Sequence, residues 1–283
     1  MASSPVVLRY PGAAGLVSSA AGEPAAWLEI DAAAWIHGGL DLPALDDRID
    51  ELAAAGPFAV EVHGEPASAA DEVDIHCQRW SGRRNEALPS EELARLLRRH
   101  RGLHPADKPL VRADYRHALD VWQWTLRLDP EAGAAVQIAA LFHDVERIFT
   151  EAESRREQAV AEYDDYKARH AARSAWITAA LLREEKLDPG LAARAVELVA
   201  GHDQPGRIDS TGKALSENPE AELLEDADAL SFFSLNSSGY LRYYGEEQAR
   251  RKVEWTFARL SPRGRERLDR LRLPPTLAAR SPS

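Results

Sequence analysis

The apolar run Ala139-Ala140-Leu141-Phe142 passes directly into His143-Asp144 and resumes at Val145. A chain that buries such a run must find partners for an imidazole and a carboxylate inside it. Read as a helix, Val136, Ala139 and Ala140 lie seven, four and three residues before His143, so the imidazole emerges from the same buried stripe. Asp144 stands about 100° further round the axis. An unpaired carboxylate beside a packed stripe costs several kcal/mol, so a nearby positive charge must hold it. A divalent cation bound jointly with His143 is the economical candidate; for the dipeptide alone, a surface His-Asp pair at a helix end is the alternative.

The dipeptide has company. Of nine histidines, four fall between residues 117 and 202, each in a stretch that reads as helix. His117 shares a face with Val121, Trp124 and Leu128, four, seven and eleven residues on, and so points inward, with Trp124 in the core beside it. His202 follows Ala195, Leu198 and Val199 at seven, four and three residues, and a Pro205-Gly206 break closes that helix. His170 opens a helix that continues through Ile177 and Leu181, with a less clean face. In Leu224-Glu225-Asp226-Ala227-Asp228-Ala229-Leu230, Asp228 shares a stripe with Leu224 and Phe232, and Asp226 with Leu223 and Leu230; periodicity does not choose between them. Taken singly, each of these histidines is more often a hydrogen-bonded core residue than a ligand. Together they would need five separate solutions in one core, whereas one shared metal centre is a single solution.

The order His117, His143-Asp144, His170, His202, Asp228, at spacings of 26, 26, 32 and 26 residues, resembles the HD-domain superfamily of metal-dependent enzymes over about residues 88–262. The resemblance implies an all-α bundle whose ligands project inward from different helices. It implies His117, His143, Asp144 and Asp228 as the shared metal set, with Ala227-Asp228-Ala229-Leu230 matching the last motif and so favouring Asp228. His170 and His202 match the binuclear subset, in which the aspartate of the pair bridges two divalent metal ions, with Fe, Mn or Co expected.

Most members of that superfamily are phosphohydrolases, and a metal-bound hydroxide attacking the phosphate ester of a small anionic substrate is the chemistry the resemblance implies. Asp144 would bridge, and Arg147, three residues on and on nearly the same face, would neutralise the substrate. The family often carries Lys there in a His-Asp-x-Gly-Lys pattern; Glu146-Arg147 departs from it, and a structural contact of Arg147 with Glu146 or Asp144 is the rival reading. Lys213, on the long loop 204–219 that leaves directly from His202, is a second candidate for the anion. A smaller branch, including myo-inositol oxygenase and a phosphonate-cleaving oxygenase, uses the same six ligands for a mixed-valent di-iron centre that activates dioxygen. Imidazole and carboxylate suit several metals, so ligand type does not decide. A ligand sensor or scaffold that keeps only the helical core is the third reading.

The rest of the chain frames this domain. With 283 residues, 45% hydrophobic and 29% charged, it has the composition of a soluble globular protein. A net charge of −11 argues against nucleic-acid or anionic-membrane binding through bulk charge. There is no run of eighteen apolar residues and no basic n-region before an apolar stretch, so a cytoplasmic protein is expected. Residues 1–86 hold most of the excess acid and read as a small α/β module: strands at Val6–Tyr10 and Phe58–His63 with a helix at Leu42–Ala55, opened by Pro43 and closed by Gly56-Pro57. That module could gate the site, form a homodimer or pack on the bundle. His37 and His63 read as surface histidines, and an accessory zinc site at His76-Cys77 has little sequence support. Ser90 reads as the cap of a helix ending in the basic Arg98-Arg99-His100-Arg101, and Glu151 to Ala168 as an exposed charge-rich helix or lid. The expected organisation is an α/β module over 1–86, a helical metal-binding domain over 87–273 and a disordered tail over 274–283.

Overall fold

The structure, a computed structural model, describes residues 4–18, 22–65, 68–155, 163–203, 207–208, 214–215 and 218–273; Lys213, the loop 209–213 and the tail 274–283 lie outside them. In chain order the elements are β1 (Val6–Tyr10), α1 (Gly12–Gly15), β2 (Ala26–Asp31), α2 (Ala32–Ile36), α3 (Leu42–Ala55), β3 (Phe58–His63), α4 (Ser68–Cys77), α5 (Ser90–Leu103), α6 (Pro109–Leu128), α7 (Ala134–Phe142), α8 (Arg147–Thr150), α9 (Tyr163–Glu184), α10 (Pro189–Gly201), the short strands β4 (Arg207–Ile208) and β5 (Ala214–Leu215), α11 (Pro219–Ser231), a π-helical turn Phe232–Asn236, α12 (Ser237–Tyr244), α13 (Glu246–Arg259) and α14 (Pro262–Leu268). The protein is mainly helical with a small three-stranded sheet near its N-terminus, as the sequence predicts. No helix among the described residues is long and apolar enough to cross a membrane.

The chain divides into two units, Met1–Gly82 with Leu230–Ser283, and Arg83–Ala229. The sequence reading keeps residues 230–273 with the bundle. The structure groups them with the N-terminal segment because Arg272 stacks its guanidinium over the buried Trp35 ring at 4.9 Å and α12 packs on α3.

In the first unit the sheet has the order β1-β3-β2, with β1 antiparallel and β2 parallel to β3. The central strand carries the apolar run Phe58-Ala59-Val60, all buried, while the edge strands alternate, the burial difference expected between a middle and an edge strand. A parallel pair needs a crossover of a dozen residues or more, which α3 supplies; Asp41 caps it, accepting from Ala44 N. Gly12, at φ +67°, is required: a Cβ there would stand 2.1 Å from the Gly56 carbonyl oxygen.

A buried ionic group lies under this sheet. Arg79 is fully buried; its Nη2 is 3.2 Å from both Asp46 and Asp50, and its Nη1 donates to the His76 carbonyl at 3.0 Å. His76 Nε2 is 3.1 Å from Asp46, so His76 belongs to an ion network and not to a zinc site with Cys77. Burial pushes the Cys77 thiol up to about 12, against the pull of Arg79, which keeps it protonated and a poor ligand at neutral pH. His63 lies on the open face of the sheet, 3.3 Å from Glu61.

The second unit is built around α6, α7, α9 and α10, with α7 packed between α6 and α10, and α10 on α9. Every residue from Ala135 to Phe142 is buried, which its all-apolar sequence apart from Gln137 permits. Gln137 is satisfied: Trp122 Nε1 donates to it at 3.2 Å and its amide donates to Ala132 O at 2.9 Å. Trp122 and Trp124 are both buried although they point to different sides of α6, because this helix is enclosed on most of its circumference. α10 starts as its sequence dictates, with Asp188 accepting from Leu191 N at 2.9 Å and Pro189 in the first turn. Ser90 does not cap α5; it is the first helical residue after Pro89, whose carbonyl accepts from Leu93 N. His100 leaves the basic helix end and is buried with Leu93, Leu96 and Leu97, at the 3–4 spacing of an apolar face. Of the segment 151–168, Glu151 and Lys167 are buried whereas Glu153 and Ser154 are exposed; residues 156–162 lie outside the described residues.

Replacing a fully buried guanidinium removes the cation that Asp46 and Asp50 share, so Arg79→Ala is expected to destabilise the protein by about 3–5 kcal/mol. Urea-induced unfolding followed by circular dichroism measures this; a change below about 1 kcal/mol would mean the group is not held as described.

Candidate metal centre

Five elements deliver side chains to one place in the second unit. α6 aims His117 inward along the stripe of Val121, Trp124 and Leu128, all buried. α7 stops at Phe142, earlier than the sequence suggests: His143 keeps helical dihedrals as its C-cap, and the chain then turns tightly, with Val145 N bonding Phe142 O and Arg147 N bonding Asp144 O. The i−3 bonds overwind the chain and let adjacent residues His143 and Asp144 address one cluster. His170 comes from α9, His202 caps α10, and Asp228 comes from α11.

The distances bring the six sequence candidates together. His117 Nε2 and His143 Nε2 are 3.3 Å apart, matching the edge of roughly 3–3.5 Å between two donors about 2.1 Å from one ion. Asp228 Oδ1 lies 3.1 Å from His117 Nε2 and 3.7 Å from His143 Nε2, so geometry selects Asp228; Asp226 is buried elsewhere in α11. Asp144 faces both ways. Its Oδ2 is 3.9 Å from the Nε2 atoms of His117 and His143, and its Oδ1 is 2.8 Å from His170 Nε2 and 3.6 Å from His202 Nε2. Two sets of donor atoms, one from Asp144, His170, His202 and Asp203 and one from His117, His143 and Asp144, each lie within 4.8 Å of one another and could hold a metal ion.

The donor chemistry fits such an ion. His143 Nδ1 donates to Ala140 O at 2.9 Å and His202 Nδ1 to Val199 O at 2.7 Å, while His170 Nδ1 meets Glu146 at 2.8 Å. Each of these bonds occupies the outer nitrogen and turns Nε2 to the cluster, the arrangement that orients metal-binding imidazoles.

Arg147 makes one of the contacts that the sequence offers beside a substrate role: Nε is 2.9 Å from Asp144 Oδ2, and Nη1 is 3.3 Å from Glu151. Glu146 pairs with His170 and Arg173 instead. A network continues outward, with Arg155 2.7 Å from Asp114 and 3.6 Å from Glu151 and Tyr166 bonded to Glu151. Asp203 and Lys167 escaped the sequence reading. Lys167 Nζ lies 2.6 Å from Asp203 Oδ2, which in turn is 3.3 Å from His202 Nε2. A second His-Asp dipeptide at the end of an apolar stripe was the signal for Asp203; Lys167, three residues before His170, had none beyond its position on the same face of α9.

Charge among the clustered side chains is unevenly shared. Burial alone would lower all four histidines. It wins at His143, which falls to about 4. At His202 the charges of Asp203 and Asp144 overcome it and lift the group to about 10. His117 rises through its bond to Asp228, and His170 through its bonds to Asp144 and Glu146. Asp144, despite burial, is held well below the usual carboxylate range by Arg147 and His143, and Asp228 by His117. His202, lifted to about 10, is cationic at neutral pH when no ion is bound and must lose a proton before a metal can bind. Metal binding is expected to release protons and to weaken as pH falls from about 8 to about 6. Calorimetry in buffers of different ionisation enthalpy checks this; a heat independent of the buffer would contradict the assignment.

Comparison with curated proteins gives no match, and comparison with solved structures gives none. The family model described as Domain of unknown function (DUF4202) matches residues 97–279. That span is well over half of the chain and contains all six sequence-predicted ligands together with Asp203. The protein belongs to the DUF4202 family.

Proposed function

We propose that this protein is a binuclear metal-dependent phosphohydrolase of the HD superfamily, acting on a phosphate ester of a small anionic molecule. The observation that carries the reading is the placement of Asp144, whose two oxygens face separate pairs of imidazoles, Oδ2 toward His117 and His143, Oδ1 toward His170 and His202. A bridging carboxylate between two cations has this disposition. When bound, two such cations lower the pKa of a water and neutralise a phosphoryl group in line with it.

The chain's own residues supply the setting. Asp144 and Asp228 bring fewer negative charges than two divalent cations bring positive ones, so the loaded centre attracts an anion. Arg147, held by Asp144 and Glu151 and only 11% exposed, adds a fixed guanidinium at its edge, and a guanidinium matches phosphate oxygens bidentately. Its partners Asp144 and Glu151 keep it oriented beside the cluster. Glu146 fixes the ring of His170, and the carbonyls of Ala140 and Val199 fix those of His143 and His202.

Phosphate release from nucleotides and sugar phosphates, with Mn or Co supplied to metal-depleted protein, is the direct test. His143→Ala and Asp144→Ala are expected to lower turnover by at least about 100-fold with helical content retained by circular dichroism. Arg147→Met is expected to weaken substrate binding by roughly 10- to 100-fold, read in KM. Persistent turnover in both ligand variants would refute the site. Oxygen uptake by the iron-loaded protein, with no phosphate released, would move the assignment to the oxygenase branch; failure to retain any metal would favour a scaffold.

A further inference from the structure

The chain uses one local device twice. α7 ends at Phe142 and α10 at Gly201, and in each case the next residue is a histidine that keeps helical dihedrals, −57° and −38° at His143, −61° and −28° at His202. Both rings donate Nδ1–H to the carbonyl three residues back, at 2.9 Å and 2.7 Å. An aspartate follows both. The first, Asp144, faces the cluster. The second, Asp203, is buried with its side chain 1% exposed, and its Oδ2 is 3.3 Å from His202 Nε2. One oxygen of Asp203 shares a 4.8 Å space with donors of Asp144, His170 and His202.

We infer that Asp203 is a seventh protein ligand of the centre, completing the half that holds the second cation. The inference rests on the binuclear reading of the cluster and extends it. The two halves then match: His117, His143 and Asp228 on one side, His170, His202 and Asp203 on the other, with Asp144 common to both. Each ion sees two imidazoles and two carboxylates, a set suited to a borderline divalent metal. The extra carboxylate also answers an electrostatic need. A second dication facing only neutral imidazoles and one shared carboxylate would leave that half the more positive of the two, and Asp203 equalises them.

Lys167 is the positioning residue of this arrangement. Its ammonium lies 2.6 Å from Asp203 Oδ2 and its side chain is 6% exposed. A buried ion pair is weak evidence of a stabilising role, since an apolar pair often packs as well. Here the pair holds one rotamer of a carboxylate directly beside the donors of His202 and Asp144. From α9, three residues before His170, Lys167 reaches Asp203 on the same side of the helix as that ligand.

The competing account is that Asp203 serves only as a counter-ion for Lys167. Mn(II) titration of the full chain separates the two, with bound metal counted by mass spectrometry after equilibrium dialysis and ion pairing read from the exchange-coupled EPR signal. Wild type is expected to take up two ions and show the coupled signal. Asp203→Asn is expected to keep the first ion, bind the second at least about tenfold more weakly and lose the coupled signal, as His202→Ala does. The double variant K167M/D203N removes both buried charges together and guards against misfolding from an unpaired ammonium; it too is expected to lose the second ion. Two ions bound within about twofold of wild-type affinity in either Asp203 variant would overturn the inference. Wild type that binds fewer than two ions would overturn it together with the binuclear reading. Wild type with two ions and no phosphate release would refute the hydrolase alone and leave the ligand assignment standing.

Discussion

The second unit is organised by a problem of charge in a dry place. Asp144 is surrounded by buried imidazoles and the Arg147 guanidinium, at 2.8–3.9 Å, and the helix that leads into it, α7, is apolar apart from Gln137. Isolated, a carboxylate in such surroundings would take up a proton or draw in water. Every partner of Asp144 arrives from a different helix or turn, so the carboxylate can be satisfied only if α6, α7, α9 and α10 meet in one arrangement. The polar centre thus specifies which helices pack together, while the apolar faces around it supply the free energy.

Those faces make the centre rigid. Val136, Ala139, Ala140, Leu141 and Phe142 are buried almost completely, each contributing on the order of 1–3 kcal/mol on folding. The small alanines of α7 let neighbouring helices come close. His143 and His202 are held by backbone carbonyls of their own helices, so the orientation of those two rings is tied to main-chain geometry, while the Glu146 carboxylate holds His170. A donor set preorganised in this way loses little entropy when an ion arrives.

Much of this was legible from residue order. Inward stripes placed His117, His143 and His202 correctly because helical periodicity is a local property, and the β1, α3 and β3 boundaries followed from turn residues and apolar runs. Other features depended on contacts that no local pattern encodes. The choice between Asp226 and Asp228 is decided by which side of α11 meets His117, a tertiary fact. Ser90 sits one position too late to cap α5 because Pro89 already supplies the first carbonyl. Glu151 lies in a charge-rich stretch that reads as exposed, yet Arg147, Arg155 and Tyr166 bury it. No local pattern marks β2, because Ala26–Asp31 joins β3 by a parallel pairing across α3, a long-range partnership. Asp203 stands in a second His-Asp dipeptide, but its approach to Lys167 depends on how α9 and α10 pack.

The first unit is assembled from the two ends of the chain, Met1–Gly82 and Leu230–Ser283, with the second unit inserted between them. Its sheet segment is synthesised long before α12, α13 and Arg272, so Trp35 waits for its cationic cover until residue 272 has been made. Joining two segments so far apart in sequence carries a loop-closure entropy that grows only with the logarithm of the intervening length, and an intervening stretch that has already folded shortens the effective loop. The order of events this favours is the helical unit first and the terminal unit last. A ribosome that stalls after residue 229 would therefore leave the metal-binding helices largely made and the opening sheet incomplete, exposing its Trp35 side to quality control.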